Sequence, residues 1–323
     1  MDYKKIGKFL LKLLVSLVFV AWLIRKIDWQ QVLFYTRNIS IFQIVLYIAV
    51  LLIGMAISAY KWQVLAEFKG FRFPLKNYFQ YYLAGTFLNN FFPSFIGGDA
   101  YRAYQIGKQD KRYVASTAAV VMDRVTGLLG AMVLSVVFAL LNWKVVSSHK
   151  VLLLIMAIVV VVLIGVACMG LIVKLPLWQK MARLASTSGH LSESRRARFV
   201  PKKILEVIKD FAEYEGSSAF NKSLVLAIIY SLVGLGLVNY VLFWALGIHV
   251  GVLNYLTVIF MISIVSSIPV SVNNIGIKEW AYVTFFGFFG ISSAAVVTVS
   301  LVSRVLQMLV SFTALPSYLK SKK

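Results

Sequence analysis

VLLLIMAIVVVVLIGVACMGLIV, residues 151–173, contains no charged residue and has no polar face. At 1.5 Å per residue a helix of this length covers about 35 Å, enough to cross the roughly 30 Å of bilayer hydrocarbon. A helix on the surface of a soluble protein keeps a polar side, and this one has none. The whole chain agrees with that reading. Of 323 residues 60% are hydrophobic and only 14% are charged, against about 25% charged in soluble domains. These numbers exclude a water-soluble core and define an integral membrane protein.

Further apolar runs extend outward on both sides, at 9–27, 41–60, 114–141, 222–246 and 292–315. With 151–173 they make six predicted full spans. Two other apolar segments do not fit as spans. Residues 77–98 are flanked by the basic stretches before Lys76 and from Arg102 to Arg112, and a crossing would place these on opposite sides. Residues 252–290 are interrupted by SSIPVSVNNIGIKEW. Both are predicted to be re-entrant helical hairpins, whose irregular backbone is tolerated at depth only where protein or a polar cavity surrounds it. The first opens to the cytoplasm and the second to the outside.

The predicted fold is therefore all-α and polytopic, one domain over 1–323, with three crossings and one hairpin in each half. The halves are 1–149 and 150–323, the second including a cytoplasmic loop at 174–221. Three crossings per half insert the second upside down, giving an inverted repeat. Pro93, the Gly97-Gly98-Asp99 turn and MDRV (122–125) find counterparts in Pro269, the turn from Asn273 to Glu279 and VSRV (302–305). Transporters with this symmetry place broken helices at the midplane.

A net charge of +21 raises the question of nucleic acid. The placement of the 33 Lys and Arg answers it. They cluster between spans: four in 1–12, four in 60–76, four in 101–113, ten in 174–222 and three in 316–323, against five in 25–40 and 142–150 together. The richer side is cytoplasmic by the positive-inside rule, which places both termini inside. The basic excess sets topology and meets anionic lipid, and nucleic-acid binding is not expected. In the loop, PKKILEVIKDFAEY (201–214) has the spacing of an amphipathic helix that starts at Pro201. The single cysteine, Cys168, excludes a disulfide framework and is read as a small packing residue. The basic, apolar N-terminus lacks a small-residue cleavage site and is read as a retained span.

Some charges cannot be topological. Asp123 and Arg124 lie about 14 Å along the span starting at 114, and Arg304 about 18 Å along the span starting at 292. An unpaired charge at such depth costs at least about 2.5–3.5 kcal/mol. With the hairpin residues Asp99, Arg102, Lys278 and Glu279 these define a candidate cavity of three acids and four bases, whose surplus positive charge suits a phosphate. Arg124 and Arg304 offer bidentate donors to a phosphodiester. Internal ion pairs that hold broken helices together, such as Asp99 with Arg102, are the structural alternative. Gly97 and Gly98, and in the second loop Asn274 and Gly276, complete the candidate substrate-binding set. Asp99 is placed as the cap of the helix that follows, with free amides there available to an anion. As a carboxylate it could instead take a proton or a cationic headgroup.

FPSFIGGDAYRAY, MDRVTGLLG and IPVSVNNIGIKEWAY together resemble the flippase-like transmembrane domain of lysylphosphatidylglycerol synthases, over nearly the whole chain. Asp123 stands where glutamate is commoner in that family, and Asn273-Asn274 where glycines are commoner. The resemblance implies a flippase that moves an anionic or aminoacylated phospholipid, or a polyprenyl-linked lipid, between leaflets of the cell membrane. Bifunctional relatives carry a large soluble transferase domain. The chain ends at PSYLKSKK without room for one, so phosphatidylglycerol lysyltransferase activity is not expected.

Enzyme signals are few. His149, His190 and His249 have no metal-ligand spacing, and neither a phosphate-binding Walker loop nor a nucleophile elbow is present. No metal or cofactor is expected. Expected partners are a membrane phospholipid or lipid-linked substrate, with a second copy of the chain or a separate lipid-modifying enzyme as protein partner. An ion-coupled transporter of a small anionic solute and a lipid-modifying membrane enzyme are the alternative functions.

Overall fold

The structure, a computed structural model, describes Arg25 and residues 28–37, 39–91, 96–174, 213, 214, 216–268, 271 and 274–315. The predicted span 9–27 except Arg25, Pro93, Pro269, Asn273, nearly all of the predicted loop helix and the tail from 316 lie outside these residues. Among the described residues every regular element is helical: α1 Trp29–Arg37, α2 Ile41–Phe68, α3 Leu75–Phe91, α4 Ile96–Gly107, α5 Tyr113–Leu141 and α6 Trp143–Ser148. They continue as α7 Lys150–Lys174, α8 Ser218–Ala245, α9 Val252–Ser267, α10 Ile277–Gly287 and α11 Ser293–Phe312. Five helices, α2, α5, α7 over Lys150–Cys168, α8 and α11, are long and apolar enough to cross a membrane.

Serines set three of the starts. Ser40 and Gln43 form a reciprocal capping box at α2, and Ser217 and Ser292 accept amide hydrogens at α8 and α11. The β-branched run in α7 is helical because hydrocarbon leaves its backbone no other partners. Only a narrow face of α7, with Leu152 and Val159, is buried against the protein, while Leu154, Ile158 and Val161 are exposed. Cys168 is exposed as well, so it is not the packing residue expected.

The predicted boundaries hold to within a few residues except at α2, which runs to Phe68 rather than stopping at 60, and at the first hairpin, whose second helix runs to Gly107 rather than stopping at 98. Lys61 ends the apolar window in the sequence, but it is buried and ion-paired, so the helix continues past it. Helices α1 and α6 occupy segments expected as plain loops.

α3 and α4 are 17 and 12 residues long, α9 and α10 are 16 and 11, each too short to cross the hydrocarbon. Each pair folds back on itself. In the first, Asn89 accepts the Gly98 amide at 2.9 Å, and a side chain on Gly98 would collide with the Gly85 carbonyl. The mouths of the two hairpins lie at opposite ends of α5. Arg112, which precedes α5, donates to the carbonyls of Lys69 at 3.0 Å and Gly70 at 3.2 Å, just before α3. Asn142, which follows α5, donates to Asn254 at 2.9 Å near the start of α9. The His149 ring lies 4.4 Å from that of Phe288, tilted by 38°, beyond the end of α10.

Packing pairs the halves. α3 lies on α11 as α9 lies on α5, α4 on α5 as α10 on α11, and α2 on α3 as α8 on α9. At the centre α2 crosses α8, where a Cβ on Gly54 would stand 2.8 Å from the Gly234 Cα. Close approach through small residues is how helices associate in lipid. Gly234 belongs to a π-helical stretch, Ser231–Leu237. Two of its carbonyls are taken by side chains: Gly236 by the Tyr255 hydroxyl at 2.6 Å and Leu235 by the Asn239 amide at 2.8 Å.

Candidate functional site

The two hairpin tips, coming from opposite ends of α5, meet at one cavity of about 460 Å³. Asn89 and Asp99 reach it from the first tip, Ser266, Ser267 and Asn274 from the second, and Asp123 and Arg124 from the middle of α5. Tyr230, Gly234 and Asn239 of the π-helical region form another wall.

A continuous chain of ion pairs runs along this wall. Lys61 Nζ on α2 lies 3.0 Å from Asp123 Oδ1 on α5. The other oxygen of Asp123 accepts from Arg102 Nη1 at 3.1 Å, and Arg102 Nη2 donates to Asp99 Oδ1 at 2.7 Å, both arginine contacts being made from α4. Asp99 Oδ2 then meets Arg124 Nε. The Arg102 guanidinium also stands over two rings, Trp62 at 5.1 Å and Tyr82 at 4.9 Å from their centroids. Burial falls along the chain. Lys61, Arg102 and Asp123 are 2%, 6% and 4% exposed, whereas the Arg124 side chain is 47% exposed. The inner pairs therefore tie α2, α4 and α5 together, and Arg124 forms the open end.

Arg124 shares a face of α5 with Val114, Thr117 and Val121, spaced by three or four residues. All four are exposed. This stripe leads from the cavity along the apolar outside of the protein.

The cavity wall carries four cations, Lys61, Arg102, Arg124 and Lys278, against the two carboxylates of Asp99 and Asp123. The surplus is thus larger than the sequence reading allowed. That reading assigned Lys61 to the cytoplasmic surface, because it ends an apolar window with Lys69, Arg72 and Lys76 following. Tyr82, Tyr230 and Asn239 were also missed, since nothing local separates them from interface aromatics and core polar residues.

Of the residues expected in the site, Asp99, Arg102, Asp123, Arg124, Asn274 and Lys278 line the cavity. Glu279 and Arg304 do not belong to its wall. Glu279 is buried, accepting from Arg304 Nη2 at 3.0 Å and Ser300 Oγ at 2.9 Å through one oxygen, and from the Gly276 amide at 2.7 Å through the other. It ties the start of α10 to α11. The glycines shape backbone: Gly98 permits the close approach to Gly85, and Gly276 has a φ of 88°, in the left-handed region. Two expectations are corrected. Asp99 lies within the first turn of α4 and binds arginines rather than capping the helix. The Gly98 amide is not free for an anion, because Asn89 takes it.

The family described as lysylphosphatidylglycerol synthase TM region matches residues 9–314, which include every described helix and the whole cavity wall. The chain belongs to this family. Comparisons with curated proteins and with solved structures give no match. As a member of the lysylphosphatidylglycerol synthase TM family with five apolar helices of crossing length, it is a multi-pass membrane protein.

Proposed function

We propose that the protein is a lipid translocase, moving an anionic or aminoacylated phospholipid, or a polyprenyl-linked lipid, between leaflets of the cell membrane. The observation that carries this reading is the cavity itself. It is positive in sum, lies halfway along α5, and is bordered by the exposed, half-apolar stripe from Val114 to Arg124. An anionic headgroup can occupy such a site while its acyl chains stay on the outer apolar surface.

In this reading the chain crosses six times, both termini are cytoplasmic, and the two hairpins are re-entrant halves of an inverted repeat. The opposed hairpin mouths and the matching helix contacts of the halves support it. The protein performs transport without a chemical step of its own and works on lipid supplied by a separate enzyme. The family name points to phosphatidylglycerol and its lysyl ester as the first lipids to try. The experiment is translocation of headgroup-labelled lipid in liposomes carrying the purified chain. Transfer above that in empty liposomes is expected. Its absence with folded protein, beside uptake of a soluble anion, would replace lipid transport by solute transport.

A further inference from the structure

Building on the lipid reading of this cavity, we propose that the ligand's phosphate is held by Lys278 on the second hairpin and that Asn274 Oδ1 takes a hydrogen-bond donor of the same headgroup. The ligand class is a phosphate ester with a hydroxyl or ammonium group close to the phosphorus.

Lys61, Arg102 and Arg124 each have a carboxylate at ion-pair distance. Lys278 has none among the described residues, and the contact it does make is with the ring of Tyr282, 5.7 Å away. The carboxylate next to it in sequence, Glu279, is committed to Gly276, Ser300 and Arg304. An ammonium withdrawn from bulk water and facing a cavity calls for an anion. The arginines, already matched by Asp99 and Asp123, form the frame; Lys278 supplies the uncommitted charge.

Asn274 adds the second contact. It is 9% exposed and sits at φ 55°, a left-handed conformation that asparagine tolerates better than most residues. Its amide nitrogen donates to the Ser266 carbonyl across the tip. That bond fixes which end of the amide is which, because a carbonyl accepts only from the NH₂. Oδ1 is left buried with no donor among the described residues, and the same holds for Ser266 Oγ. Buried acceptors are ordinarily satisfied. Asn274, Ser266 and Lys278 all line the cavity, so one ligand carrying both an anion and a donor satisfies them together.

The test compares the wild type with Lys278→Gln, Lys278→Arg and, as an exposed control, Lys144→Gln. Headgroup-labelled phosphatidylglycerol is followed in liposomes, and the melting temperature is followed in detergent as glycerol phosphate is added. Lys278→Gln should slow translocation by about ten- to a hundredfold, the loss expected for a charge-assisted hydrogen bond, and should abolish the glycerol-phosphate shift. Lys278→Arg should keep most of both, and Lys144→Gln should change neither. Wild-type transport left unchanged by Lys278→Gln overturns the proposal while the translocase reading stands. A Lys278-dependent melting shift without lipid movement upholds the phosphate site and overturns lipid transport, the ligand then being a free phosphate ester. No shift and no movement overturn both. Should Lys278→Gln not fold, protection of Lys278 in the wild type from acylation by glycerol phosphate decides: protection supports the site, and unchanged labelling overturns it.

Discussion

Asp123 holds a cation on each oxygen, Lys61 and Arg102, and is the carboxylate paired with Lys61, whereas Arg102 also has Asp99, so the loss of Asp123 leaves the Lys61 ammonium buried without a counter-charge. Removing one partner of such a pair costs about 3–5 kcal/mol. Asp123→Asn should therefore lower the melting temperature sharply, and adding Lys61→Met should restore part of the loss, since the second change removes the stranded charge. A double variant no more stable than the single one would show that the pair does not hold α2 to α5. Asp123 and Arg124 could be read from sequence because they interrupt an apolar span near its centre. Lys61 could not, since it stands at the end of an apolar window with Lys69, Arg72 and Lys76 following. Only the continuation of α2 beyond it reveals that it is buried. Lys278 and Asn274 were legible as loop residues, but their uncommitted atoms become visible only once the partners of Glu279 and the arginines are known.

The first hairpin was legible because basic stretches flank its apolar run and a crossing would put them on opposite sides, the second because SSIPVSVNNIGIKEW cuts its run in the middle. What the sequence could not supply was the contact that closes them. Gly98 packs on the Gly85 backbone and its amide is held by Asn89. Gly98→Val must push α4 away from α3, and with it Arg102 away from Asp123. The expected result is a loss of about 2 kcal/mol or more, within the range for overpacked cores, read as a lower melting temperature. A variant that melts like the wild type would mean that the first hairpin does not pack this way. The π-helical stretch in α8 was not legible either. Its glycines, Gly234 and Gly236, carry no local signal that separates a close helix crossing from a flexible joint; the crossing with Gly54 settles the former for Gly234.

At the scale of the whole molecule, the two hairpin mouths lie about 43 Å apart along the 29 residues of α5. With Cys168 replaced by serine, single cysteines at Lys111 and Lys144, next to the respective mouths, should react with an impermeant maleimide from opposite sides of the membrane. Reaction from the same side would contradict the opposed hairpins and the inverted repeat with them. The order of the five described helices of crossing length followed from hydropathy. The convergence of both tips on one cavity was expected as well; what could not be read was the close crossing of α2 and α8 at the centre on which it depends.

The account rests on a positive cavity that receives an anionic headgroup, and transport selectivity tests that claim most directly. In liposomes carrying the purified protein, labelled phosphatidylglycerol should cross faster than labelled phosphatidylcholine, and Lys278→Gln should remove that preference while the protein stays folded. Equal rates for the two lipids in the wild type, or a preference that survives Lys278→Gln, would contradict it.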